Sequence, residues 1–255
     1  MIHPTSSAKP PGGRLVAIAS GKGGVGKTWL AITLAHALAR RRQRVLLFDG
    51  DLGLANVDIQ LGILPHSDLA AVIAGRLTLP EAVIAHSGGF DILAGRSGSG
   101  ALAALGHDTL ETVLAALRSA ATGYDIVLLD LGAGIDASVR RMARAADTTL
   151  VVVTDEPTSI TDAYAVLKLH AADTNGSGDA RVVVNQAAAR PAGERTYATL
   201  ARACATFLGA APPLAGVIRR DDRVRDAIRR QTLLLTRHPT AVAASDTEAV
   251  ADGLL

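Results

Sequence analysis

Near its start the chain reads Gly21-Lys22-Gly23-Gly24-Val25-Gly26-Lys27-Thr28. The spacing G-x-x-x-x-G-K-[ST] constrains everything around it. Glycines let the backbone curl around a phosphate with its N–H groups turned inward. A helix beginning at Lys27 adds its dipole and unpaired N–H groups. Lys27 then reaches β- and γ-phosphates, and the Thr28 hydroxyl takes a Mg2+ position. Such a loop has to lie between a buried strand and a helix, and both flanks comply. Arg14 to Ser20 (RLVAIAS) reads as a short buried strand. From Lys27 the run TWLAITLAHALARRR repeats Leu30, Leu34 and Leu38 at a spacing of four, which predicts a helix. Basic residues Arg40, Arg41, Arg42 and Arg44 follow at its C-terminal end, where positive charge suits the helix dipole.

The same alternation continues. Predicted strands are Val45–Phe48, Phe90–Leu93, Asp125–Leu129, Thr148–Val153, Arg181–Val184 and Ala215–Ile218. Predicted helices are Asp108–Ala121, Ser159 to about Ala172, Glu194–Leu208 and Asp222–Arg230. Strands that are continuous apolar runs, separated by helices, predict a doubly wound α/β domain with a mostly parallel sheet covered on both faces. At 255 residues one such domain accounts for the chain. We expect a flexible segment over 1–13, the domain over 14–238 and a helix or tail over 239–255.

Composition removes several function classes. Aromatic residues are only 3%, too few for a surface that stacks bases. The lone cysteine, Cys204, makes neither an internal disulfide nor a multi-cysteine metal site, and fits a reducing cytoplasm. A net charge of +2 does not imply a nucleic-acid partner. The first 13 residues lack the apolar core of a signal peptide, and no apolar run is long enough to span a bilayer. The expected location is cytoplasmic, with any membrane contact peripheral at the inner face of the cell membrane. Lysines are scarce, yet two of the four, Lys22 and Lys27, share the glycine loop. The loop therefore calls for a compact ammonium rather than a guanidinium fork.

Carboxylates stand where a phosphate loop can use them. Asp49 and Asp51 end the second strand, and Asp130 ends the strand DIVLLD. In a parallel sheet all strand C-termini share the edge on which the glycine loop lies.

The form K-G-G-V-G-K-T, with its early Lys22, resembles the MinD/ParA group of P-loop ATPases, from Val16 to about Leu235. The resemblance implies ATP and Mg2+ as ligands and an ATP-dependent homodimer. It assigns nucleotide contacts to Gly21, Lys22, Gly23, Gly24, Val25, Gly26, Lys27, Thr28 and Trp29, with Lys22 reaching the partner's nucleotide across the dimer. The pattern D-x-D-x-G is met by Asp49, Asp51 and Gly53. The resemblance makes Asp51, Lys22 and Lys27 catalytic, with Asp51 orienting the attacking water. It places Thr28, Asp49 and Asp130 around the metal. The turn Gly132 to Gly134 resembles a γ-phosphate switch. Asn185, ending RVVVN, stands where the group reads adenine, and an amide suits that task. Val217 to Asp222 (VIRRDD) resembles the loop that closes over the base, but Arg219 stands where a Pro is common.

Within the group, DLGLANVD (51–58) and TDAYAVLK (161–168) resemble the FlhG family, also called FleN. Those proteins control flagellar number and placement, which implies flagellar regulatory or assembly proteins as partners. Residues 1–13 carry no Asp-Gln-Ala helix of the kind that stimulates a flagellar GTPase. The end, AVAASDTEAVADGLL, is acidic, so it gives little support to membrane targeting. Rival readings are a ParA-type partition ATPase that binds DNA and a MinD-type cell-division ATPase. Six Arg between 219 and 230 are interleaved with three Asp, which favours a solvated, ion-paired helix over a DNA surface. A metal-cluster ATPase needs paired cysteines that this chain lacks.

Overall fold

A computed structural model describes residues 12–51, 55–95 and 107–255. Its elements run β1 (Arg14–Ser20), α1 (Lys27–Arg40), β2 (Val45–Gly50), α2 (Val57–Leu61), α3 (Leu69–Ile73), α4 (Leu79–Ala82), β3 (Ile84–Ala85), β4 (Asp91–Leu93) and α5 (His107–Ala120). There follow β5 (Ile126–Ala133), α6 (Ala137–Ala145), β6 (Thr148–Val153), α7 (Pro157–Asp173), β7 (Ala180–Ala187), α8 (Arg190–Leu208), β8 (Leu214–Arg219), α9 (Asp222–Arg229), α10 (Leu234–Arg237) and α11 (Val242–Asp252).

The sheet order is β3-β4-β2-β5-β1-β6-β7-β8. Every pairing is parallel except β3 with β4. This is the doubly wound architecture read from the sequence. β1 lies in the middle, so the glycine loop leaves the centre of the sheet. β5 lies between β1 and β2, opposing Asp130 to Ile18 on one side and to Asp49 on the other.

Alternation along each strand builds two cores. Leu15, Ala17, Leu46, Phe48, Val127 and Leu129 face one side, covered by α3 to α8. Val16, Ile18, Val45, Leu47, Leu128 and Leu150 face the other, covered by α1, α2 and α9 to α11. Leu30, Leu34 and Leu38 of α1 are fully buried against that second face. Cutting one of them to Ala removes about 2–5 kcal/mol of stability.

The structure departs from the sequence reading at several places. β5 runs on through Gly132 to Ala133, and the turn comes at Gly134, whose φ is 105°. α6 was not foreseen from the sequence, although Val139, Met142 and Ala143 recur there at helical spacing and are its buried face, with Arg140, Arg141 and Arg144 between and after them. α7 and α8 begin earlier than expected, with Pro157 first in one and Pro191 second in the other, where a missing N–H costs nothing. Of the helix or tail expected for the acidic C-terminal stretch, the structure has the helix, α11. Its Ala243, Ala244, Val250 and Ala251 are buried, and Glu248 and Asp252 pair with Arg40 and Arg41 at the end of α1. Among the described residues, no helix is long and apolar enough to cross a membrane.

Candidate functional site

α1 opens without a side-chain cap. Its N-cap is Gly26, in the left-handed region at φ 93°. The first internal helix bond is Leu30 N–H to the Gly26 carbonyl, so earlier amides are left to other acceptors. Gly24 also has positive φ, 80°, and a Cβ placed on Gly23 or Gly24 would meet nothing within 4 Å. Here is an open concave cradle of backbone donors at the mouth of a helix, suited to an anion.

The loop is anchored from below. Lys27 is 8% exposed, and its Nζ donates to Ser20 Oγ at 2.9 Å. Ser20 Oγ in turn donates to the Lys22 carbonyl at 2.7 Å. Burial lowers the Lys27 pKa, and the charges of Asp130 and Asp51 work against that shift. Lys22 lies at the surface. Its ammonium pairs with Glu156, the residue before α7, and donates to Thr158 Oγ1 at 3.1 Å.

Asp130 is 1% exposed and takes a hydrogen bond from the Thr28 hydroxyl. Its Oδ1 is buried with no partner among the described residues. Burial, with Asp49 next to it, raises its pKa to about 7. Asp49 is also raised by burial, to about 6. Its Oδ2 accepts from the Asn56 and Val57 amides at 2.9 and 3.0 Å, and its Oδ1 from the Asp51 amide at 3.3 Å. Asp49 thus also organises the start of α2. Asp51 is half-buried beside β5: a Cβ on Gly132 would lie 3.5 Å from its Oδ1. An orphaned carboxylate oxygen beside a threonine hydroxyl is a set of hard oxygen donors that fits Mg2+. The third member of the D-x-D-x-G pattern, Gly53, lies outside the described residues, as does part of DLGLANVD.

Behind the cradle is a cavity of about 310 Å3 lined by Gly24, Gly26, Trp29, Asn185, Gln186 and Arg219, with α9 as its outer wall. Asn185 is 3% exposed. Its Nδ2 donates to the Val25 carbonyl at 2.8 Å and its Oδ1 accepts from the Gln186 amide at 2.9 Å. One N–H and one lone pair of that amide remain. Trp29 is 7% exposed and packs into the α1 core, and its Nε1 has no partner among the described residues. The Arg219 side chain is gripped by Asp246, with bonds of 2.8 and 2.9 Å. Arg219 therefore lines the cavity as one half of an ion pair, which the sequence reading did not foresee. Glu156 and Asp246 are further site residues the sequence did not reveal, since their partners lie 134 and 27 positions away.

Residues 16–234 match the model of the CobQ/CobB/MinD/ParA nucleotide binding domain. The antiactivator FleN of Pseudomonas aeruginosa is 40% identical over 238 residues, covering 93% of this chain and 85% of that protein. The flagellum site-determining protein YlxH of Helicobacter pylori is 31% identical, covering 73% of this chain and 63% of that one. The septum site-determining protein MinD from Pyrococcus horikoshii, solved with Mg-ADP, superposes with a TM-score of 0.79 at 22% identity over 94% of this chain and 95% of that one. At that identity the match speaks for the fold. With this fold, this loop and these relatives, the chain belongs to the CobQ/CobB/MinD/ParA nucleotide-binding family, within its FlhG/FleN group.

Proposed function

We propose that the protein is a Mg-dependent ATPase that dimerises when ATP is bound and uses that switch to regulate flagellar number and placement. One observation carries the nucleotide part: an uncapped, glycine-opened helix start whose buried Lys27 faces the strand-end carboxylates Asp130 and Asp51. The flagellar part rests on the 40% identity to FleN.

In this reading the amides from Gly23 to Thr28 hold the α- and β-phosphates. Lys27 gives up its bond to Ser20 and neutralises charge on the β- and γ-phosphates. Thr28 and Asp130 would hold Mg2+, with Asp49 behind them, and the ion supplies charge neutralisation for the departing phosphate. Asp51 aligns the attacking water. Gly132 to Gly134, beside Asp51, passes the state of the γ-phosphate to the surface. Asn185 and Arg219 bound the base.

Lys22 is tied to Glu156 in the single chain. A second copy presenting its own nucleotide offers a denser negative charge, so Lys22 exchanges partners on dimerisation. Exposed ion pairs contribute about 0–1 kcal/mol, so releasing Glu156 costs little.

The partition reading receives less support. Arg223 is paired with Asp221, Arg230 and Arg237 with Asp226, and Arg219 with Asp246, which cancels much of the local positive charge. The test is genetic and biochemical together. Deleting the gene should change the number of flagella per cell counted by electron microscopy, and wild type but not Asp51→Ala should restore it. Unchanged flagellation in the deletion strain, with ATP turnover intact in the purified protein, would refute the flagellar assignment and spare the ATPase.

A further inference from the structure

The C-terminal helix has an unusual residue at its centre. Asp246 of α11 has a side chain only 1% exposed, yet it is an acid. Its charge is met by two arginines, and Arg219 makes most of the bonds. Arg219 reaches it with its backbone N–H at 3.0 Å, its Nε at 2.8 Å and an Nη2 at 2.9 Å. Arg190 adds a longer bond at 3.2 Å. A second link lies one turn away. The carboxylate of Asp221, which caps α9, accepts from the Val242 amide at the start of α11, at 2.9 Å. Arg219 and Asp221 both line the 310 Å3 cavity behind the phosphate loop. The wall of that cavity is thus tied to α11 at two points.

A buried carboxylate is costly unless its hydrogen-bond capacity is filled, so this arrangement has one preferred geometry. A guanidinium held by its fork is flat and fixed, and a flat cation stacks on an aromatic ring. Left alone, an Arg at a strand end keeps its rotamer freedom and must surrender it on binding. Asp246 removes that loss beforehand.

We infer that Asp246 is a positioning residue for the nucleotide site. It pre-sets Arg219 as a wall for the base of a bound nucleoside diphosphate or triphosphate, and so links nucleotide occupancy to the docking of α11. This rests on the nucleotide reading above and extends it to a helix far from the phosphate loop in sequence. Linkage requires the effect to run both ways. A bound nucleotide holds α11 down, and loosening α11 weakens the nucleotide.

The test is calorimetric titration of full-length protein with Mg-ADP. The variants are Asp246→Asn, Asp246→Ala, Arg219→Ala, Arg219→Lys and the Arg219→Ala, Asp246→Ala double variant, each checked for its thermal transition. Asp246→Asn should raise Kd about tenfold, within the usual range of coupling between sites. Arg219→Lys keeps the charge, loses the fork and should weaken binding similarly. In the double variant Kd should match Arg219→Ala alone, because Asp246 acts through Arg219. Amide exchange gives the reverse direction: Mg-ADP should slow exchange in Val242–Asp252 of the wild type and leave it unaltered in Arg219→Ala. Asp246 variants that bind as wild type, or losses that simply add in the double variant, would overturn the inference and leave the nucleotide site standing. A wild type that binds no Mg-ADP would overturn the nucleotide reading and this inference together.

Discussion

In the proposed reading, single residues at the site divide the work between holding a nucleotide and acting on it. Lys27→Ala removes the charge proposed to meet the phosphates and leaves Asp130 buried without its cation. Nucleotide Kd should rise by a factor of about 100, the scale of a lost buried charge contact of roughly 3 kcal/mol. Asp51→Ala should leave Kd within twofold and reduce turnover at saturating ATP at least about 100-fold, the lower range for a positioned acid–base group. Rapid single-turnover assays against titration curves separate the two, and a normal rate in Asp51→Ala would remove it from the reaction. Gly26→Ala is a third probe. At φ 93° a Cβ is strained and would lie 2.5 Å from Asn185 Nδ2. Binding should fail even though no side chain is lost, and wild-type affinity in that variant would contradict the cradle. These residues were legible because each lies in a short motif or at a strand end, where sequence order alone sets position. The bonds of Asn185 were not, since they depend on where Val25 passes in space.

At the scale of an element, α1 carries both the proposed phosphate cradle at its start and a titratable weakness. His36 is 6% exposed, and its Nδ1 has no partner among the described residues. Burial first, then the nearby Arg40 and His86, lowers its pKa from 6.5 to about 4. The unfolded chain therefore takes up this proton at a higher pH than the folded one. The His36 share of stability is present above about pH 6.5 and is lost as pH falls toward 4. Denaturant midpoints of His36→Gln should fall less steeply across that window than those of wild type, while equal slopes would show that other groups carry the acid sensitivity. α11 was legible only in part. A helix was one of the two forms expected there, but its pairings were not: Glu248 and Asp252 answer Arg40 and Arg41 on α1, and Asp246 answers Arg219. Such pairings join residues up to 211 positions apart and leave no local pattern. α6 was missed for a different reason: its Val139, Met142 and Ala143 do recur at helical spacing, but over only nine residues that three arginines interrupt.

The whole molecule is a sheet whose two apolar faces could be read from strand runs and whose working edge could be read from motifs. What sequence order does not encode is how that edge meets a second copy. Lys22 and Glu156 hold each other in the single chain, 134 positions apart. If Lys22 is the residue that changes partners, its favourable contribution exists only in the ATP-bound pair of chains. The dimer step is isolated from turnover on an Asp51→Ala background, and Lys22→Arg is the conservative control, because a planar fork does not replace a compact point charge. The most direct measurement is the molar mass of Asp51→Ala and of Lys22→Ala, Asp51→Ala by size-exclusion chromatography with light scattering in Mg-ATP. The account predicts a dimer for the first and a monomer for the second, with both remaining monomers in Mg-ADP. An undiminished ATP-dependent dimer in the double variant, or no dimer in Asp51→Ala, would contradict it.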